Sequence, residues 1–292
     1  MRKFLAVLCV MTMTLSMLTA CGSAKEADNA SNEAVTEDAP AAAQEAETAD
    51  AAGNEESSDR TTFVVGFDAE FPPYGFADEN GEYTGFDLEL AEAVCAMEGW
   101  ELVKQPIDWD AKDMELSTGA IDCIWNGFTM NGREDQYTWS EPYIDNSQVY
   151  VVAADSGISS PADLAGKAVG VQKDSSALAA LEDEANADLM ASFGSLTQYA
   201  DCNTAFMDLD AGGIDCVALD IGVANYQISS RGDGYVMLDE KLATEQYGVG
   251  FLLGNEALRD IVQKDLEALY EDGTVTTLAE KYDLVDCLCL GK

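Results

Sequence analysis

Histidine is absent from the 292 residues. Ser-His-Asp and Cys-His catalysis are therefore excluded, as is every histidine-ligated metal site. Positive charge is scarce as well: 15 Lys and Arg stand against 55 Asp and Glu, a formal net charge of −40. A phosphate backbone is bound by a Lys/Arg surface, so nucleic acid is not expected as a partner. Direct adhesion to anionic lipid is disfavoured for the same reason. No two cysteines have Cys-x-x-Cys spacing, and no metal or cofactor is expected. What is present is apolar material: hydrophobic residues make up 47% of the chain. A length of 292 residues exceeds the usual limit of one core and predicts about two domains. Carboxylates, lysine and tyrosine keep an enzyme open.

Residues 1–20 read as a secretory signal peptide, with Arg2 and Lys3, an uncharged run from Phe4 to Leu18, and small residues at Thr19 and Ala20. The run falls short of the about 20 apolar residues of a membrane span. Leu18-Thr19-Ala20-Cys21-Gly22 resembles a bacterial lipobox. That resemblance implies cleavage before Cys21 and diacylglycerol on its sulfur, and two acyl chains anchor stably where one does not. Residues 21–60 then read as a lipidated, disordered acidic tether. Residues 22–60 hold 12 Ala and 11 Asp/Glu against Lys25 and Arg60, with no aromatic residue, too little apolar surface to offset chain entropy. Such a tether has a root-mean-square span of roughly 35 Å. The expected location is extracytoplasmic, lipid-anchored to the bacterial cell membrane. Cys123 and Cys216 sit in apolar strand-like runs and read as small hydrophobes. The pairing of Cys95, Cys123, Cys202, Cys216, Cys287 and Cys289 is left open.

From Thr61 onward strand-like and helix-like segments alternate. Phe63–Phe67, Glu101–Gln105, Ile121–Trp125, Ala168–Val171 and Cys216–Leu219 read as strands. Helices are expected over Phe86–Met97, with Phe86, Leu90, Ala93, Val94 and Met97 on one face, and over Ala111–Thr118, Ser176–Ala185, Thr204–Asp210 and Ile221–Ile228. Glu256 to Tyr282 is helical with a break at Asp272-Gly273. The alternation predicts a parallel α/β architecture. An internal echo divides it: Ile121-Asp-Cys123 returns as Ile214-Asp-Cys216, 93 residues later, each preceded by a glycine (Gly119, Gly212) suited to ending a helix. Two similar α/β lobes fit this pattern.

Several signatures stand in order: Phe67-Asp-Ala-Glu-Phe-Pro-Pro-Tyr-Gly-Phe76, Gly85-Phe-Asp-Leu-Glu-Leu90, Asn126-Gly-Phe-Thr129, Arg133, Trp139-Ser-Glu-Pro-Tyr143, Asp163-Leu-Ala-Gly-Lys-Ala-Val-Gly-Val-Gln172, Tyr247-Gly-Val-Gly-Phe251 and Leu269-Tyr-Glu-Asp-Gly-Thr274. Over about residues 61–286 the chain resembles the polar amino acid-binding proteins of ABC importers, extracellular solute-binding family 3. The resemblance implies a two-lobed periplasmic-binding-protein-like α/β fold with two hinge crossings, near Val149–Ala153 and Ala243–Gly248. Residues 61–150 and 246–292 would form lobe 1, and 151–245 lobe 2. It further implies a monomer that closes on a free amino acid and is recognised by permease subunits.

A free amino acid loses the hydration of both its charges on enclosure, so each needs a partner. Arg133 is the expected carboxylate clamp, by a bidentate guanidinium fork. Amides near Gly127 and Thr129, the Thr129 hydroxyl, and Ser176 at a helix start would add donors. Asp220, after the second-lobe strand, would take the ammonium. By the resemblance, Asp68, Phe71 and Trp109 flank the ligand side chain, and Asn126 and Gln172 read its polar atoms. The family usually spaces this Thr and Arg five or six residues apart; Thr129 to Arg133 is four. The implied function is extracytoplasmic capture of a polar or cationic amino acid, or cystine, without catalysis. The alternatives are a solute-responsive sensor component and a dehydratase-like enzyme on the same fold, which would need an acid/base group beside the reacting carbon.

Overall fold

The computed structural model describes residues 60–291. The expectations for the signal peptide, Cys21 and the tether lie outside these residues, apart from Arg60. Lobe 1 opens with β1 (Thr62–Phe67), which buries Phe63, Val65 and Phe67. A three-stranded antiparallel sheet follows: β2 (Glu70–Phe71), β3 (Gly75–Ala77) and β4 (Tyr83–Thr84). Helix α1 (Phe86–Glu98) stops at Gly99 in the left-handed region (φ 73°), which only glycine enters without steric cost. Its inward face is Phe86, Leu90, Ala91, Val94 and Cys95. Met97, expected on that face, is 47% exposed, because the last turn carries it past the edge of the buried stripe.

Strand β5 (Glu101–Pro106), helix α2 (Lys112–Ser117), and the short strands β6 (Cys123–Ile124) and β7 (Thr138–Trp139) complete this half. The second sheet and the helices around it are formed by β8 (Ile144–Ala153), β9 (Ala168–Gln172), α3 (Ser176–Glu182), α4 (Ala187–Ser192), β10 (Ser195–Tyr199), α5 (Cys202–Ala211), β11 (Cys216–Asp220), α6 (Ile221–Arg231), β12 (Tyr235–Met237) and β13 (Ala243–Tyr247). The expected helix Ser176–Ala185 ends early because Asp183 is extended and caps the next turn, accepting from the Ala185 amide at 2.8 Å. The chain then returns to lobe 1 with β14 (Gly250–Phe251), α7 (Glu256–Glu271) and α8 (Thr274–Lys281), the two helices separated at Gly273 (φ 89°).

The two sheets share one plan. Their orders are β5-β1-β6-β14-β7 and β10-β9-β11-β8-β12. In each the first three strands are parallel and the fourth is antiparallel. The purely parallel expectation is therefore corrected: β8 and β14 each follow a crossing and enter their sheets from the opposite direction. Helices α1, α7 and α8 cover one face of the first sheet through Leu90, Val94, Leu258, Val262, Leu266 and Ala279. Helix α3 covers one face of the second through Leu178 and Leu181, and α5 the other through Phe206 and Leu209. At the rate of roughly 25 cal/mol per Å² of apolar area, such burial dominates the stability of each lobe.

The link between sheets is a ribbon of β8 against β13, with Ile144 opposite Tyr247 and Gln148 opposite Ala243. The stretch Val149–Ala153 pairs with β11 and β12 inside the second sheet. The first crossing thus precedes the expected Val149–Ala153, while the second falls at the expected strand.

Candidate ligand-binding cleft

Parallel α/β sheets place ligands outside the carboxyl ends of their strands. Here the carboxyl ends of β1 and β9 meet across the gap between the sheets: Gln172 Nε2 donates to Asp68 Oδ2 at 2.7 Å. Beside this contact is a small, nearly closed cavity between the two sheets. Lobe 1 lines it with Phe71, Trp109, Asn126 and Gly127; lobe 2 lines it with Gln172, Ser175, Ser176 and Asp220. All but Ser175 are residues singled out from the sequence.

Each lining residue has a local cause. Gly127 is left-handed (φ 54°), and a Cβ there would stand 2.9 Å from the Phe71 ring and 3.1 Å from Tyr247. Phe71 packs beside Tyr74 with ring centroids 5.9 Å apart, and Trp109 is edge-on to Phe128 at 5.5 Å. The Asn126 carbonyl accepts from the Asp68 amide at 3.1 Å, while its buried Nδ2 has no protein partner and remains a donor. Ser175 caps α3 by accepting from the Leu178 amide at 3.2 Å, which leaves Ser176 beside the cavity.

Arg133, Thr129 and Asp68 stand next to the cavity without lining it. The shortened loop closes as a turn, Arg133 N to Met130 O at 2.9 Å, with Gly132 left-handed at φ 78°. Asn131 Oδ1 ties the loop to β13 by accepting from the Gln246 amide at 2.8 Å. The guanidinium then lies over the Phe128 ring at 5.3 Å and donates to Thr129 O and, across the gap, to Ser176 Oγ at 3.1 Å. Two expected donors are already engaged. The Gly127 amide donates to Asp87 Oδ2 at 2.6 Å, and the Thr129 hydroxyl to Glu245 Oε1 at 2.8 Å, because buried carboxylates recruit the nearest N–H and O–H.

The electrostatics of the cleft are acidic. Burial pushes Asp68 up to about 6, against the bonds it accepts from the Glu70 amide and Gln172. Burial, then the charge of Glu245, pushes Asp220 up to about 7. Asp220 accepts from Asn146, Gln148 and the Tyr247 hydroxyl. A buried carboxylate without a counter-ion is a ready partner for a cation.

Sequence reasoning missed Asn146, Gln148, Glu245 and Lys112. The first two alternate on one face of β8, a visible polar pattern, but only the antiparallel register sets them against Glu245. Lys112 is buried at 2% exposure beneath an ion pair with Asp174 of lobe 2, and its ammonium sits 5.2 Å from the Trp109 ring. Flanked by Asp110 and Asp113, it reads in sequence as an ordinary surface charge.

The family description "Bacterial extracellular solute-binding proteins, family 3" matches residues 63–284, most of the chain and all but the edges of its described part. The chain belongs to this family. Among its relatives is the L-cystine-binding protein TcyJ of Escherichia coli (strain K12), 29% identical over 227 residues, which cover 77% of this solute-binding protein and 83% of TcyJ. The arginine-binding extracellular protein ArtP of Bacillus subtilis (strain 168) is 26% identical over 286 residues, 97% of this chain and 98% of ArtP. The crystal structure of an ABC uptake transporter substrate-binding protein from Streptococcus pneumoniae with bound histidine is 35% identical, with a TM-score of 0.72, and the match covers 76% of this chain and 92% of that one. The two-lobed solute-binding fold is thereby the fold of this chain.

Proposed function

We propose that this family 3 solute-binding protein captures a polar or cationic amino acid outside the cytoplasm and delivers it intact to an ABC importer permease. The observation that carries the reading is the opposition, across one small cavity, of Asp220 on lobe 2 and the unpaired donor Asn126 on lobe 1, with Arg133 beside it on the cavity-lining Ser176. Asp220 would take the ammonium. Arg133 would exchange its bonds to Thr129 and Ser176 for the carboxylate. Phe71 and Trp109 would enclose the side chain, with Asp68 and Gln172 at its polar end. The acidity of that end favours arginine, lysine, histidine, glutamine or cystine over glutamate, in keeping with the cystine, arginine and histidine named for the relatives. Closure would bring lobe 1 (61–150 and 246–292) onto lobe 2 (151–245) about the β8–β13 ribbon. The protein would act as a monomer, tethered by lipid on Cys21.

Isothermal titration of the purified protein against the twenty amino acids and cystine is expected to show one tight binder. Silence across that panel would sink the reading. Arg133→Ala is expected to abolish binding while leaving the Tm of the ligand-free protein nearly unchanged; unaltered affinity would mean that another group holds the carboxylate. One observation favours a second reading, acid catalysis of dehydratase type: the Asp68 carboxyl near 6 is suited to proton transfer. Recovery of every bound amino acid chemically unaltered after prolonged incubation would remove it.

A further inference from the structure

Behind Asp220 is a second buried carboxylate that does not line the cavity. Asn146 Nδ2 and Gln148 Nε2 each donate to both Asp220 Oδ1 and Glu245 Oε1, four contacts of 2.7 Å that alternate around a ring. The amide nitrogens face the two acids, as suits oxygens that accept. Tyr247 adds a donor to Asp220, and Thr129 one to Glu245 at 2.8 Å. Among the described residues no Lys or Arg forms an ion pair with either acid. Acceptors are in surplus: Asn146 Oδ1 and Gln148 Oε1 are buried without partners. Two negative charges, spare acceptors and no cation are an arrangement short of one positive charge.

We propose that Asp220 and Glu245 act as one acid pair holding a single proton between them, and that the ammonium of the captured amino acid takes the place of this proton. Glu245 is a positioning residue: it acts through Asp220 and the amides between them, from a strand of the ribbon that joins the lobes. The inference rests on the amino acid reading above for the identity of the cation, but the shared proton itself does not.

Of the groups near the pair, Asp87 on α1 and Asp68 after β1 also titrate near neutrality, both raised by burial, to about 7 and about 6, and both are common to the parent and the variants below. From β13 comes Tyr247, and from the turn after β2 comes Tyr74, both held protonated by burial and then by neighbouring charges, Asp87 among them for Tyr74. From α5 comes the Cys202 thiol, pushed well up by burial and then by Asp220. Strand β8 offers only amides. Arg133 is the cation on this side, beyond Thr129, where it donates to the Thr129 carbonyl. Burial and then Glu245 push the Asp220 carboxyl up to about 7. A carboxyl raised in the folded state binds more protons there than in the unfolded chain. The resulting penalty grows as pH rises through that window and is complete above it.

Two measurements on the purified protein test this. Without ligand, Glu245→Gln keeps the shape and an acceptor but removes one acid. It is expected to melt higher than the parent at pH 8.5 and to lose that advantage at pH 5, and Asp220→Asn is expected to do the same. Equal lowering of Tm at both values for both variants would overturn the shared proton. With L-arginine, L-histidine and L-cystine as probes, titration at pH 6 in two buffers of different ionisation enthalpy is expected to show about one proton released per ligand bound, and a Kd that weakens by up to about tenfold per pH unit below 7. Both effects are expected to be smaller in Glu245→Gln, which removes the Glu245 charge and leaves the burial of Asp220. Tight binding to the parent with no proton release would overturn the exchange. Silence of all three probes would count against the amino acid reading, while the melting comparison would still decide the pair.

Discussion

In lobe 1 the Asp122 carboxylate, just before β6, takes the amide of Val64 on β1 at 2.7 Å; in lobe 2 the Asp215 carboxylate, just before β11, takes the amide of Ala168 on β9 at 2.9 Å. Two residues further along each of those strands is a glycine, and the preceding isoleucine covers it: a Cβ on Gly66 would lie 2.4 Å from Ile121 Cδ1, and one on Gly170 would lie 2.5 Å from Ile214 Cδ1. The Ile-Asp-Cys echo is thus a strand-to-strand clip used twice. Four residues past the clipped amides are Asp68 and Gln172, which meet in the cleft. Five residues past the clipping acids are Gly127 and Asp220. The lobes share framework position for position and diverge where they face the cavity. At one such position lobe 1 removes the side chain to make room, and lobe 2 supplies a charge.

The hardest blow to that division of labour is Asp220→Ala. It is expected to weaken ligand affinity by about 100-fold or more, about 3 kcal/mol, since it leaves the ammonium enclosed and unpaired. A loss below about tenfold in a titration would show that lobe 2 does not hold that charge. Next come the clips. Asp122→Ala is expected to cost about 1.5–3 kcal/mol in urea unfolding, in the range for a hydrogen bond to a charged group. Asp215→Ala is expected to cost less, because its side chain is more exposed, 38% against 22%. Reversal of that order would break the equivalence of the two clips. A smaller effect separates Asp68 from Asp220. Because the Asp68 carboxyl is raised to about 6, it carries charge above that pH and is protonated below it. The ratio of arginine affinity to glutamine affinity is therefore expected to fall several-fold between pH 7.5 and pH 5, and a constant ratio would remove Asp68 from side-chain recognition. The smallest effect is expected from Lys173→Ala, whose ion pair with Asp110 is exposed. Ligand release should quicken less than about threefold at low salt and not at all at 1 M salt.

Much of this was legible before any coordinates. Hydrophobic period located β1, β9, α1, α5 and α7, and the echo located two lobes, because burial and helix termination are local properties. Seven of the eight cavity-lining residues follow strand ends or motifs that a linear reading can number. What escaped is what depends on partners far apart in the chain. Glu245 and Gln148 are 97 residues apart, and each looks like a solvated strand residue until β8 and β13 are set in register. The Gly127 amide looks free until Asp87, 40 residues earlier on α1, is seen to occupy it. The direction of β8 and β14 escaped for the same reason: a strand's orientation is decided by the route of its connection, not by its composition.

The ion pairs at the rim of the cleft carry a last consequence. Asp110 faces Lys173, and two residues on, Lys112 faces Asp174. Acid meets base at one contact, and base meets acid at the next. Sliding one lobe past the other by a single contact would bring Asp110 toward Asp174 in one direction, or Lys112 toward Lys173 in the other, like charge to like either way. The reversed order works as a key cut into the two faces. It rewards one alignment of the lobes and repels the neighbouring one, so the shape presented to a docking partner is defined in translation as well as in angle.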